Sequence, residues 1–172
     1  MTFSDIQRLI APQLDATNTL ICSSLQSEVT LIEEIGGYII NSGGKRVRPI
    51  LALLAASACG YKGDKHITLA AIVEFIHTAT LLHDDVVDTS TQRRGQDTAN
   101  IVWDNAASVL TGDFLYSRAF QLMVQLDDIQ VLAMLAQASN QMAEGEVAQL
   151  ANCHKLDLTV ADYRRVIEGK TA

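Results

Sequence analysis

Proline is almost missing from this chain: Pro12 and Pro49 are the only two in 172 residues, and aromatics make up just 5%. With helix breakers rare and alanine, leucine and isoleucine abundant, the composition leans towards helices. No segment shows the apolar–polar alternation of a convincing strand. Positive charge is also in short supply, with 13 Lys and Arg against 20 Asp and Glu and a formal net charge of −7. That balance argues against nucleic acid as the main partner, because a phosphate backbone recruits a basic surface. Any anionic ligand must instead be met by a local cluster of cations. Cysteine is limited to Cys22, Cys59 and Cys153, which are far apart and lack metal-ligand spacing. Reduced thiols in a cytoplasmic protein are the expectation. The opening MTFSDIQRLI lacks the basic start and apolar run of a secretion signal, and the longest uncharged apolar run, residues 50–59, is too short to cross a bilayer. Low-complexity tracts, fixed-period repeats and linker-like stretches are absent too.

What is present reads as one helical domain over residues 1–172, long enough and apolar enough (48% hydrophobic) to bury a core. Ser4 with Gln7 is the expected capping box of a first helix containing Pro12. A longer helical pattern covers residues 20–40, with Gly36-Gly37 as a weak point. Then comes NSGGKRVRP, a glycine turn and a basic run; Pro49 suits the first residue of the next helix and Gly60 its stop. Thr68 is the expected cap of the helix carrying LAAIVEFIHTATLLHDDVVD, with Gly95 in the loop behind it. Helical spacing resumes over residues 101–126, interrupted by Gly112, and again over 129–151. Thr159 and Asp162 form a capping-box pattern for a helix starting near Val160. The predicted class is all-α. The last helix reaches IEGKTA without a terminating signal, so a partial chain is the expectation.

The stretch LLHDDVVDTSTQRRG, residues 81–95, concentrates chemistry. Asp84 and Asp88 lie four apart, on one stripe of a helix. Carboxylates stacked there repel, and near a helix C-terminus they oppose the dipole. Aspartates are hard oxygen ligands suited to Mg²⁺, which usually takes one or two carboxylates plus substrate phosphates. A solvated helix end is the competing reading. Against it, the same stripe runs back through Leu81, Thr80 and His77, a largely apolar face. His77 taken alone is equally readable as a core histidine.

Two basic clusters flank this acid. Lys45, Arg46 and Arg48 follow Gly43-Gly44 and precede a helix, where glycine backbone, unpaired N–H groups and the helix dipole all favour an anion. Arg93-Arg94-Gly95 begins five residues beyond Asp88, within reach of a metal-bound phosphate. Each cluster alone is equally readable as a solvated basic turn. Together, two basic groups and one acidic group point to two anionic groups handled side by side, one through Mg²⁺ and one directly by Lys and Arg.

GGKRVRP (43–49), FIHTATLLHDDVVDTSTQRRG (75–95), GDFLYSRAF (112–120) and GKTA (169–172) together resemble the trans-isoprenyl diphosphate synthases, most closely the long-chain, octaprenyl-type bacterial members. The resemblance covers essentially the whole chain. It implies an antiparallel helical bundle of the isoprenoid synthase type, here incomplete at the C-terminus. It also implies a homodimer that condenses isopentenyl diphosphate with an allylic diphosphate to give a long all-trans polyprenyl diphosphate, for a quinone side chain. Asp84 and Asp88 would be the Mg²⁺ ligands, with Asp85 completing the catalytic aspartates. Lys45, Arg48, His77 and Arg94 would hold isopentenyl diphosphate, while Arg93, Lys170 and Thr171 would contact the allylic diphosphate. Small residues before the aspartates, Ala79 and Thr80, imply a deep product tunnel, with Met123 either a wall further down or a flexible core filler. The resemblance also implies a second aspartate-rich motif well downstream, which these 172 residues do not include, and Asp127-Asp128 is no substitute because IQVL follows it. The 172-residue chain is therefore expected to have little condensation activity alone. A shorter-chain synthase, a non-catalytic subunit of a two-component synthase and a helical scaffold are the alternatives.

Overall fold

The computed structural model describes residues 2–170. Among these residues it contains nine helices and one two-stranded ribbon, so the all-α class holds. The helices are α1 (Phe3–Leu9), α2 (Ala11–Ser24), α3 (Thr30–Asn41), α4 (Val47–Ala58), α5 (Lys65–Val87), α6 (Ala99–Val102), α7 (Asn105–Leu126), α8 (Ile129–Asn152) and α9 (Val160–Lys170). Strands β1 (Gln92–Arg93) and β2 (Gln96–Asp97) form the ribbon. The chain divides into two compact units, Met1–Asp127 and Asp128–Ala172.

In the first unit α5 is the central element, packed against α7, α4 and α2. Ala70, Ala71, Ile72, Phe75, Ala79 and Leu82 of α5 are buried, as are Leu53 of α4, Ile21 of α2, and Leu115 and Ala119 of α7. Long apolar helices of this kind are stabilised by the apolar area they remove from water, roughly 25 cal/mol per Å². By length and composition α5 could cross a membrane, but half of its apolar window is buried inside the fold, as in a core helix. Two small residues let α7 approach closely. The Ser108 hydroxyl donates to the Leu82 carbonyl at 2.9 Å. At Gly112 an added Cβ would stand 2.3 Å from His83 Nε2. That His83 ring lies parallel to Tyr116, 6.4 Å between centroids, so Gly112 continues α7 and marks a close approach.

Several boundaries differ from the sequence expectations. The first helix is capped by Thr2 with Asp5, each bonding the other's backbone N–H, and Ser4 falls inside its first turn. The run over 20–40 is broken between Ser24 and Thr30. There Ser27 Oγ accepts from Val29 N–H and Glu33 accepts from Ser27 N–H, local bonds that compete with helix. Gly36, by contrast, sits within α3 against Leu25. Helix α4 starts at Val47, two residues before Pro49, with Arg46 as its N-cap; it ends at Ala58 just before Gly60. Helix α5 begins at Lys65, so Thr68 is inside it. The segment 101–126 divides at Trp103-Asp104, where the Asp104 carboxylate accepts from Ala107 N–H.

In the second unit, Asp128 caps α8 through Oδ1, which accepts from Gln130 and Val131 N–H. Thr159 and Asp162 make the expected reciprocal box at α9. The two helices touch backbone to backbone: a Cβ on Gly145 would lie 2.6 Å from the Gly169 carbonyl carbon.

Candidate functional site

The acidic end of α5 is organised around Asp85, which is 1% exposed. Its carboxylate accepts three bonds from one guanidinium: Arg93 Nη2 to Oδ1 at 2.8 Å, and Arg93 Nε to both oxygens at 3.1 Å. A planar fork matches a carboxylate in this way, whereas a lysine could not. Arg93 reaches Asp85 because β1 and β2 pair antiparallel, Gln92 with Asp97 and Arg93 with Gln96. The two residues between them, Arg94 and Gly95, have φ of 55° and 80°. Positive φ at both positions is what a tight type I′ hairpin loop demands. This ribbon is the one element that the sequence reading missed outright. Its signal was weak, because Arg replaces the usual Asn or Asp before glycine.

The turn leaving α5 is tied down from α6. Thr98 Oγ1 donates to the Ser90 carbonyl at 2.7 Å, and Asn100 Nδ2 lies 3.3 Å from the same oxygen. Asp84 is half-buried and Asp88, the C-cap of α5, is exposed, its N–H bonded to the Asp84 carbonyl at 2.8 Å. The Arg93 guanidinium is held protonated above its ordinary range, first by its bonds to Asp85 and then by the fields of Asp85, Asp84 and Asp88. All four groups therefore meet at one place.

Across α5 the basic groups converge on His77. Burial pushes this imidazole down to about 4 from 6.5, and the charges of Arg48, Arg94 and Arg93 add to the effect. His77 is thus neutral at pH 7, a hydrogen-bonding group within a positive field. The glycine loop closes on the same point: a Cβ on Gly44 would stand 2.8 Å from Arg94 Nη1. Lys45 and Arg48 are exposed. Arg46 turns inward, a distinction that sequence could not make among three neighbouring cations. Its Nη1 donates to Glu74 at 2.7 Å and its Nη2 to the Ile40 carbonyl at 2.8 Å. Glu74 was legible in principle, being the one Asp, Glu, Lys or Arg between Lys65 and Asp84 in a helix that is otherwise core.

The remaining predicted residues fall elsewhere. Ala79 is fully buried, while Thr80 is half-buried with its hydroxyl on the His77 carbonyl at 2.8 Å. Met123 is buried on α7. Lys170, in the second unit, pairs with Glu146 of α8 at 2.9 Å. Thr171 lies outside the described residues.

Among the described residues no group of three or more His, Cys, Asp or Glu side chains is gathered as a metal cage. Both oxygens of Asp85 are engaged by Arg93. Asp84 and Asp88 place two further carboxylates at the same helix end. That set fits Mg²⁺, which keeps several waters and completes its shell with phosphate oxygens, and it would not suffice for an all-protein cage.

Residues 29–172 match the Polyprenyl synthetase family. The chain is 53% identical over all 172 residues to the octaprenyl diphosphate synthase of Escherichia coli K12, covering 53% of that protein. Among solved structures, a decaprenyl diphosphate synthase from Rhodobacter capsulatus superposes with a TM-score of 0.94 at 50% identity over 98% of this chain and 52% of that one. A polyprenyl synthase from Caulobacter crescentus CB15, in complex with calcium and isoprenyl diphosphate, superposes with a TM-score of 0.95 at 46% identity, over 98% of this chain and 52% of that one. The chain spans about half the length of the curated relatives it matches.

Proposed function

Because the chain belongs to the Polyprenyl synthetase family, we propose that it carries the diphosphate-handling half of a long-chain prenyltransferase. The reaction joins isopentenyl diphosphate to an allylic diphosphate, head to tail, to build an octaprenyl-type all-trans product. The observation that carries this reading is the convergence of three motifs, the glycine-basic loop, the aspartates and the arginine pair: Arg93 bonded to Asp85, and Arg94 against Gly44.

In this reading Lys45, Arg48 and Arg94 hold the diphosphate of isopentenyl diphosphate, and neutral His77 donates a hydrogen bond to it. Asp84 and Asp88 would hold Mg²⁺, which when bound would supply positive charge against an allylic diphosphate. Asp85 keeps Arg93 at that same end, where the guanidinium faces the second diphosphate. Lys170, oriented by Glu146, and Thr171 contact the allylic substrate. The allylic carbon–oxygen bond breaks, the double bond of isopentenyl diphosphate attacks that carbon, and loss of a proton restores the alkene. Thr80 and Ala79 set product length with Met123. A homodimer, a cytoplasmic location and a product destined for a quinone side chain complete the proposal. The first two draw on apolar helices and on three unpaired cysteines among the described residues.

Equilibrium binding of an allylic thiodiphosphate with and without Mg²⁺ tests the reading. Loss of an outer-shell partner typically lowers metal affinity about 10- to 100-fold, so Asp84→Ala should weaken Mg²⁺-dependent binding by at least that. Binding indifferent to both Mg²⁺ and Asp84 would refute the assignment.

A further inference from the structure

We propose that Arg46 is a positioning residue for the homoallylic diphosphate subsite: locked to buried Glu74, it holds the 43–46 loop and the start of α4 in the shape that presents Lys45 and Arg48. This inference rests on the function proposed above. The pair itself is well shielded, with side-chain exposures of 18% for Arg46 and 7% for Glu74. Both ends of the Arg46 fork are engaged, one on Glu74 and one on the Ile40 carbonyl in the last turn of α3. That carbonyl is among those a helix C-terminus leaves unsatisfied. One guanidinium therefore fastens the end of α3, the loop and the middle of α5. With both terminal nitrogens committed inside the fold, Arg46 acts on the loop and not as the exposed cation that Lys45 and Arg48 each offer.

The backbone records the same constraint. Arg46 has φ 51° and ψ 36°, a left-handed conformation that a residue with a side chain keeps only where its surroundings over-determine it. This residue is also the N-cap of α4, so its conformation sets where the helix begins and how Arg48 leaves it. Glu74 is three residues before His77, hence on the same side of α5 about one turn away. The anchor is therefore next to the imidazole that Arg48 and Arg94 face. On its other flank the loop abuts Arg94 at Gly44. Released from Glu74, the loop would keep its charges but lose their registry with His77 and Arg94.

A merely structural pair and a positioning pair give different results when both partners are removed. Replacing a buried ion pair by apolar side chains is often neutral for stability, whereas removing one partner strands a charge. The full chain and its Arg46→Met, Arg46→Lys and Arg46→Met/Glu74→Met variants are titrated with isopentenyl diphosphate, and with an allylic thiodiphosphate plus Mg²⁺. The double variant is expected to recover the thermal midpoint but to bind isopentenyl diphosphate at least about tenfold more weakly, the loss of one charge-assisted hydrogen bond. Allylic binding should be unchanged, and Arg46→Lys, a point charge unable to span both acceptors, should rescue only in part. A ligand-free arm follows tryptic cleavage after Lys45, which should accelerate severalfold in Arg46→Met and in the double variant. Recovery of isopentenyl diphosphate affinity together with stability in the double variant overturns the proposal, as does unchanged cleavage after Lys45. A parent protein that binds neither diphosphate instead refutes the proposed function, and the cleavage arm still decides whether Arg46 pins the loop.

Discussion

Replacing Arg93 by methionine isolates the interaction on which the acidic helix end is built. The change keeps an unbranched stem but removes the fork that supplies all three of Arg93's bonds to Asp85. Asp85 has a side-chain exposure of 2%, so its carboxylate is left buried with its guanidinium gone. Breaking a buried pair on one side typically costs 3–5 kcal/mol; because Arg93 is 32% exposed and water can partly screen the site, about 2–4 kcal/mol is the expectation here. For a chain of this size that corresponds to a fall in melting temperature of roughly 5–15 °C. Urea denaturation followed by fluorescence measures it locally. Trp103 is the single tryptophan, and it sits edge-on to Tyr38 at 5.3 Å. The Tyr38 hydroxyl in turn bonds the Asp97 carbonyl of the ribbon at 2.7 Å. Adding Asp85→Asn removes the stranded charge and should restore at least half of the loss. A penalty under about 1 kcal/mol, or no recovery with Asp85→Asn, would refute the claim that Arg93 and Asp85 form the central strut.

Two further outcomes follow from the same geometry. His77 stands at about 4 against 6.5 when unperturbed, so between those values the unfolded chain binds a proton that the native chain rejects. Its contribution is therefore complete above pH 6.5 and lost as pH falls towards 4; His77→Leu should flatten that part of the stability profile, as read by urea midpoints at pH 7 and 4.5, and an unchanged slope would count against it. The residues before the aspartates separate by burial: Ala79→Phe should overpack the core at a cost of about 1–3 kcal/mol, whereas half-buried Thr80→Tyr should fold normally and shorten the prenyl product of the complete protein. Thin-layer analysis showing unchanged product length in Thr80→Tyr would remove Thr80 from the chain-length role.

The helices themselves were legible because periodicity and capping are local properties. Residues 129–151 differ from α8 by one residue at the end, and the Thr159–Asp162 box forms as read. The charge clusters were legible for the same reason, since composition and spacing need no partner. Boundaries were less so. Helical spacing continues through residues 25–29, but Ser27 and Glu33 supply competing bonds whose strength depends on the final geometry. Gly112 looked like an interruption, and only the packing of His83 explains it as a close approach.

By itself, then, the sequence determined an all-helical chain with an acidic helix end and two basic loops. Tertiary structure alone decided which cation serves which purpose. Lys45, Arg46 and Arg48 are chemically similar neighbours, yet Arg46 alone meets a buried acid, because that acid lies 28 residues away on another helix. Arg93 and Arg94 are adjacent, yet the hairpin turn sends one to Asp85 and the other to Gly44. Such assignments depend on which element each side chain faces, a property of the assembled fold that no local pattern encodes.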